Sequence, residues 1–241
     1  MSFTDRIRDI QQRINQACQQ FSKDPAHIRL LAVSKTFPAS AVEEAFAAGL
    51  TEFGENYVQE GVDKINLLAK HRQQMTWHFI GPLQSNKTKD VAEHFDWMHS
   101  VDREKIARRL SEQRPANLVP LQICLQINTS GEASKSGVDP SEAVVTALAI
   151  AGLRRLTLRG LMSIPEPTDD TQLQRQQFAA LTTLFQKIKP QLPLEQQQHF
   201  NVLSMGMSSD LESAVAESIP GTTTMVRIGT ALFGAREKVR R

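Results

Sequence analysis

The chain has 241 residues, 40% hydrophobic and 22% charged, with a formal net charge of +2. Those are the proportions of a soluble globular protein, and the small, scattered charge argues against a nucleic-acid or membrane surface; the one basic cluster, at 236–241, reads as a solvated tail. No window approaches the ~20 apolar residues that a bilayer-spanning helix needs, and the N-terminus carries Asp5, Arg6 and Arg8 in place of an apolar leader, so a cytoplasmic location is expected.

Residues 3–21 form the first predicted helix: Ile7, Ile10, Ile14, Ala17, Cys18 and Phe21 recur near i, i+3/4 spacing, with Thr4 as the expected N-cap. Residues 29–36, R-L-L-A-V-S-K-T, follow as a continuous apolar run that suits a strand covered on both faces, and this strand delivers Lys35 at its C-terminal end. Pro38 and Ser40 open a helix over 41–48, with Gly49 as its expected C-cap. Further apolar segments at 52–54, 77–81, 97–101, 118–127, 156–163, 200–205 and 225–229 bring the strands to eight. Helical stretches at 57–71, 88–94, 103–113, 141–151, 172–189 and 210–218 alternate with them, and Asp102 and Pro140-Ser141 read as N-terminal signals. Cys18 and Cys124 lie far apart, match no metal spacing and read as packing residues in a reducing compartment.

Strand–helix alternation implies parallel strands joined by right-handed crossovers. Eight such units without a linker predict an α/β fold, a single (β/α)8 TIM barrel over 1–241, with residues 1–22 as an extra N-terminal helix packed on it. A doubly wound sheet is the alternative.

In a barrel the reactive face is the C-terminal end of the strands. There the chain places Lys35, then Glu55-Asn56-Tyr57, His78, His99-Ser100, Asn128-Thr129, Met162-Ser163, and two late loops, S-M-G-M-S at 204–208 and R-I-G-T at 227–230. A lysine losing water against apolar walls becomes a better nucleophile, as a Schiff-base lysine requires. The late loops supply small residues, hydroxyls and backbone N–H groups, the donors that cradle a phosphate. An amine, a phosphate cradle and no metal cluster together suit an aldehyde-bearing phosphate, with pyridoxal 5′-phosphate (PLP) the obvious one. Arg227 opposite the pyridine nitrogen would oppose its protonation and weaken carbanion chemistry.

The ordered series A-V-S-K-T, F-G-E-N-Y-V-Q-E, W-H-F-I-G-P-L-Q-S-N-K, H-S-V-D, L-Q-I-N-T-S-G-E-A-S-K-S-G, L-R-G-L-M, L-S-M-G-M-S-S-D and V-R-I-G-T-A-L-F-G-A-R resembles the pyridoxal phosphate homeostasis proteins, the YggS/PROSC family, over nearly the whole chain. The resemblance implies a barrel similar to the N-terminal domain of alanine racemase and PLP as cofactor. It implies Lys35 as the Schiff-base lysine, Asn56 beside the cofactor, Ser208, Gly229 and Thr230 at the phosphate, and Arg227 at the pyridine nitrogen. The connection from Ser208 to Arg227 is longer than the family's usual one, which predicts an extended loop around 219–221.

What the resemblance implies for function is a PLP carrier or buffer in vitamin B6 homeostasis without efficient catalysis. The residues agree in one respect: the chain stops soon after the eighth strand, leaving Lys35 to cover one face of a substrate, whereas racemisation needs acid and base on both. Tyr57 reads as a packing or rim residue. The alternative is a PLP-dependent, racemase-like enzyme; a Schiff-base aldolase fits less well, since its lysine usually sits on a later strand. PLP-dependent apo-enzymes are the expected recipients, a monomer the expected state, and Lys135 a candidate transient acceptor during hand-over.

Overall fold

Strands apolar on both faces bury both either in a closed barrel or in an open sheet flanked by helices on each side. The computed structural model describes residues 2–129 and 136–234. In it β1 (Ile28–Val33), β2 (Glu52–Glu55), β3 (Thr76–Phe79), β4 (Trp97–Val101), β5 (Leu121–Gln126), β6 (Leu156–Met162), β7 (Val202–Ser204) and β8 (Thr223–Ile228) pair in chain order, all parallel, and β8 returns to pair with β1. That is a (β/α)8 barrel, and the closing β8–β1 ladder rules out the doubly wound alternative.

The helices are α1 (Phe3–Gln20), α2 (Ala39–Ala47), α3 (Val58–Leu67), α4 (Thr88–His94), α5 (Glu104–Gln113), α6 (Ala143–Ala151), α7 (Thr171–Ile188), α8 (Leu194–His199), α9 (Leu211–Ala216) and α10 (Thr230–Phe233). Side chains alternate along each strand. Ala32, Met98, Ile123, Leu125, Leu203 and Val226 point outward into the main core with the helices. Their neighbours Trp97, Cys124, Met162, Val202 and Met225 point inward as a separate cluster, and Leu31, Val33 and Ile80 form another. Arg159 closes the lower end, its guanidinium 4.9 Å from the Trp97 ring centre and bonded to Gln122 and Asn201 at 2.9 and 2.8 Å.

Several boundaries differ from expectation for local reasons. α1 is capped by Ser2 rather than Thr4: the Ser2 hydroxyl accepts the Asp5 N–H at 3.1 Å while the Asp5 carboxylate accepts the Ser2 N–H at 3.1 Å, a reciprocal box. β1 stops at Val33, so Lys35 lies in the turn beyond the strand. Asp102 does not cap α5; its carboxylate pairs with Arg103, the residue that occupies the cap position. α8 was not among the predicted helices, because a helix of six residues is shorter than two full helical periods and leaves no readable pattern. The 219–221 segment forms the expected turn before β8. The register of the closing ladder, Leu31 beside Arg227 and Ala32 beside Ile228, sets the turn after β1 above Gly229. Among the described residues no helix is long and apolar enough to cross a membrane. Lys135 and the basic tail fall outside the described residues.

Candidate functional site

At the C-terminal end of the strands a cavity of about 280 Å³ brings together Lys35, Asn56, Ser208, Arg227, Gly229 and Thr230, all six site residues read from the sequence. Val33, Phe37, Ile80, Ile164 and Met207 supply its apolar walls. A few polar groups converging in an apolar cleft are the usual make-up of a small-ligand site.

Lys35 is half-buried, and the backbone on both sides of it is clamped. The Ser34 N–H donates to Gly54 at 3.0 Å and its hydroxyl to Glu55 Oε1 at 2.6 Å. The buried Lys64 ammonium donates to the Ser34 carbonyl at 2.7 Å, to Glu55 at 2.8 Å and to Glu60 at 2.6 Å. Glu60 in turn accepts the Thr36 N–H at 2.5 Å. Thr36 sits at φ +69, a left-handed conformation uncommon for a residue with a branched Cβ, and it persists because these bonds hold it. Burial pushes the Glu55 carboxyl up to about 6 against the pull of Lys64 and Ser34.

Arg227 reaches the cavity from β8 and is 4% exposed. Its Nη2 donates to the Ser163 carbonyl and its Nη1 to Ser204 Oγ, both at 2.9 Å. Ser204 Oγ lies 2.7 Å from Nδ1 of His99, and Nε2 of His99 lies 2.9 Å from Nδ1 of His78. A guanidinium only donates, so Ser204 Oγ accepts from Arg227; directing the Ser204 hydroxyl hydrogen to His99 gives that hydrogen an acceptor and puts the Nε2–H of His99 on His78. Burial, with the Arg227 charge adding to it, holds His99 down at about 3, and burial holds His78 well below its ordinary 6.5. Burial also lowers Arg227 to about 10, which leaves it charged at neutral pH.

Two close backbone approaches shape the loops that line the cavity. Gly206, at φ +92, lets the loop after β7 turn tightly over α9: a Cβ there would come 2.6 Å from that of Ala214. Asp210 closes the same loop by accepting the Met207 N–H at 2.5 Å. Across the cavity, Gly81 passes so close to the Asn56 carbonyl that a Cβ would lie 2.1 Å from the oxygen, which fixes the Asn56 backbone. Buried Asn56 Oδ1 and Ser163 Oγ find no partner in the structure. Tyr57, 58% exposed, stands at the N-terminus of α3 as a rim residue.

The chain is similar to known proteins over nearly its whole length. The alanine racemase N-terminal domain family matches residues 6–237. The pyridoxal phosphate homeostasis protein of Pasteurella multocida is 52% identical over 237 residues, covering 98% of this chain and 99% of its own. Its namesake in Pseudomonas aeruginosa is 53% identical over 236 residues, covering 98% and 96%. The chain belongs to the pyridoxal phosphate homeostasis protein family. PipY of Synechococcus elongatus, solved with PLP bound, superposes with a TM-score of 0.81 at 36% identity and covers 97% of this chain and all of its own (100%).

Two parts of this family member's site escaped the sequence reading. His78, His99 and Ser204 were visible as polar strand residues, but nothing in their spacing joins strands three, four, seven and eight into one chain. Lys64 looked like an ordinary helix lysine; Glu60 and Lys64 at i, i+4, flanked by the small Gly61 and the apolar Ile65, were the available sign that this face of α3 turns inward.

Proposed function

We propose that the chain binds PLP in this cavity and acts as a carrier or buffer of the cofactor in vitamin B6 homeostasis. The observation that carries the reading is the convergence of Lys35 with the 204–208 and 227–230 loops in one cavity, within a family that has a member solved with PLP. The residues fit the group. Lys35 would supply the amine that holds its aldehyde, Ser208, Gly229 and Thr230 would hold its phosphate, Arg227 would serve its pyridine nitrogen, and Asn56 would bring a buried Oδ1 that has no partner among the described residues. Bound PLP supplies an electron sink at its ring. A charged guanidinium at the ring nitrogen, held by neutral acceptors, opposes protonation there and weakens that sink, which supports storage over turnover.

On this reading residues 1–241 work as one PLP-binding barrel, monomeric and cytoplasmic, delivering the cofactor to apo-enzymes that need it. The two cysteines, both buried as free thiols, are compatible with a reducing compartment. Borohydride reduction of the PLP-loaded protein followed by peptide mapping tests the assignment: the label is expected on Lys35 and is expected to vanish in Lys35→Ala. A variant that still traps PLP at the wild-type level overturns it.

A further inference from the structure

α1 stands outside the strand–helix alternation, yet it touches the site's supports at two places. Phe3 packs edge-on against Phe233 of α10, with ring centres 5.4 Å apart, and Phe233 stacks at 5.1 Å on Phe37, two residues beyond Lys35. The second contact is polar. Arg13 Nε and Nη2 donate to the two carboxylate oxygens of Glu212 on α9, each at 2.9 Å, and Nη2 also donates to the Ser208 carbonyl at 3.1 Å.

That last bond sets the direction of a whole peptide unit. A trans peptide is planar, so the carbonyl of residue 208 and the N–H of residue 209 point opposite ways. Arg13 is not part of the cavity wall, whereas Ser208 and Ser209 are. Drawing the 208 carbonyl out toward α1 therefore turns the Ser209 N–H inward. No acceptor among the described residues takes the backbone N–H of Ser208 or Ser209. The bidentate pair also neutralises Glu212, a carboxylate close behind a loop that would face an anion.

We propose that Arg13 is a positioning residue for the phosphate end of the cavity, fixing the 208–209 peptide with its N–H toward the ligand. This rests on the phosphate reading of the 204–208 loop. The role is a division of labour: β1 brings the amine, and the added helix shapes the anion cradle.

The test compares PLP with pyridoxal, the same aldehyde without the phosphate, in equilibrium binding to wild type, Arg13→Ala and Glu212→Gln, with thermal unfolding of each apo-protein alongside. Losing one charge-assisted hydrogen bond is expected to weaken PLP ~5–10-fold in Arg13→Ala. Pyridoxal affinity is expected to stay within about twofold, since it carries no phosphate for the 208–209 peptide to hold. Glu212→Gln, which keeps the guanidinium but loosens it, is expected to fall between. Equal losses for PLP and pyridoxal would make Arg13 a general support of the fold and overturn the proposal, as would unchanged PLP affinity in both variants. A wild type that binds the two aldehydes equally well overturns the phosphate reading itself, and the role of Arg13 with it.

Discussion

Two buried polar networks support the cavity, and they are built on opposite electrostatic plans. On the lysine side, Glu55, Glu60 and Lys64 form an ion cluster whose bonds end on the backbone at Ser34 and Thr36. On the arginine side, Ser204, His99 and His78 form a chain of neutral groups whose only cation is Arg227. The first network spends charge to hold a main-chain turn rigid. The second avoids any carboxylate in direct contact with the guanidinium, which keeps its charge available to the cavity. A barrel interior is normally filled by branched apolar side chains, so the polar chain of Arg227, Ser204, His99 and His78 is a departure that marks what the site requires, whereas the ion cluster lies between β2 and α3.

The comparison is broken most severely from the lysine side. Lys64→Met leaves Glu55 buried without its cation, and the expected loss is ~3–5 kcal/mol of unfolding free energy in urea titrations. Adding Glu55→Gln to Lys64→Met should return much of it; failure to recover would place the cost in packing and not in charge.

Acid separates the two networks by sign. The native state resists protonating His99, held at about 3, and His78, held below 6.5, whereas the unfolded chain takes up both protons near 6.5. Their contribution is fully present above 6.5 and is lost as pH falls from there toward 3, with a slope of ~1.4 kcal/mol per pH unit for each histidine. Glu55 runs the other way: its native pKa of about 6 exceeds the ordinary 4.5, so its share is present below 4.5 and lost as pH rises through 6. Urea midpoints between pH 7.5 and 5.5 are expected to fall, and His99→Gln to flatten the fall; an unchanged slope would mean that the histidines are not held neutral.

The smallest effect sharpens the comparison best. Ser204→Ala removes the link between Arg227 and His99 at an expected ~1–3 kcal/mol, the cost of leaving buried donors and acceptors unmade. Because the change leaves the lysine turn untouched, it should raise the pKa of the bound cofactor's visible transition, followed by absorbance titration, while borohydride labelling of Lys35 stays complete. A shift of the labelling instead would couple the two networks.

Much of this was legible in advance. The strand–helix alternation exposed the barrel because continuous apolar runs and 3.6-residue patterns are local consequences of being buried on both faces or on one. The strand ends were legible as the place to look because the barrel's reactive face is fixed, and the family resemblance singled out the six cavity residues among the polar groups that arrive there. The limits came at short range and at long range. Thr4 and Asp102 were misread as caps because of near neighbours: Ser2 caps α1 instead, and the Arg103 guanidinium takes up the Asp102 carboxylate. Arg13 and the His78–His99–Ser204 chain gave no usable pattern, since each acquires its meaning from partners 21 to 199 residues away.

By itself, then, the sequence determined the class of fold, the lysine at the end of the first strand and the two small-residue loops opposite it, because each follows from periodicity and position within a few residues. Only the tertiary structure decided how these parts are held: an ion cluster clamping the turn around Lys35, a neutral chain presenting Arg227, and Arg13 of α1 on the Ser208 carbonyl. The physical reason is that a buried polar group is stable only where its partners close around it, and barrel closure draws those partners from strands and helices far apart in the chain.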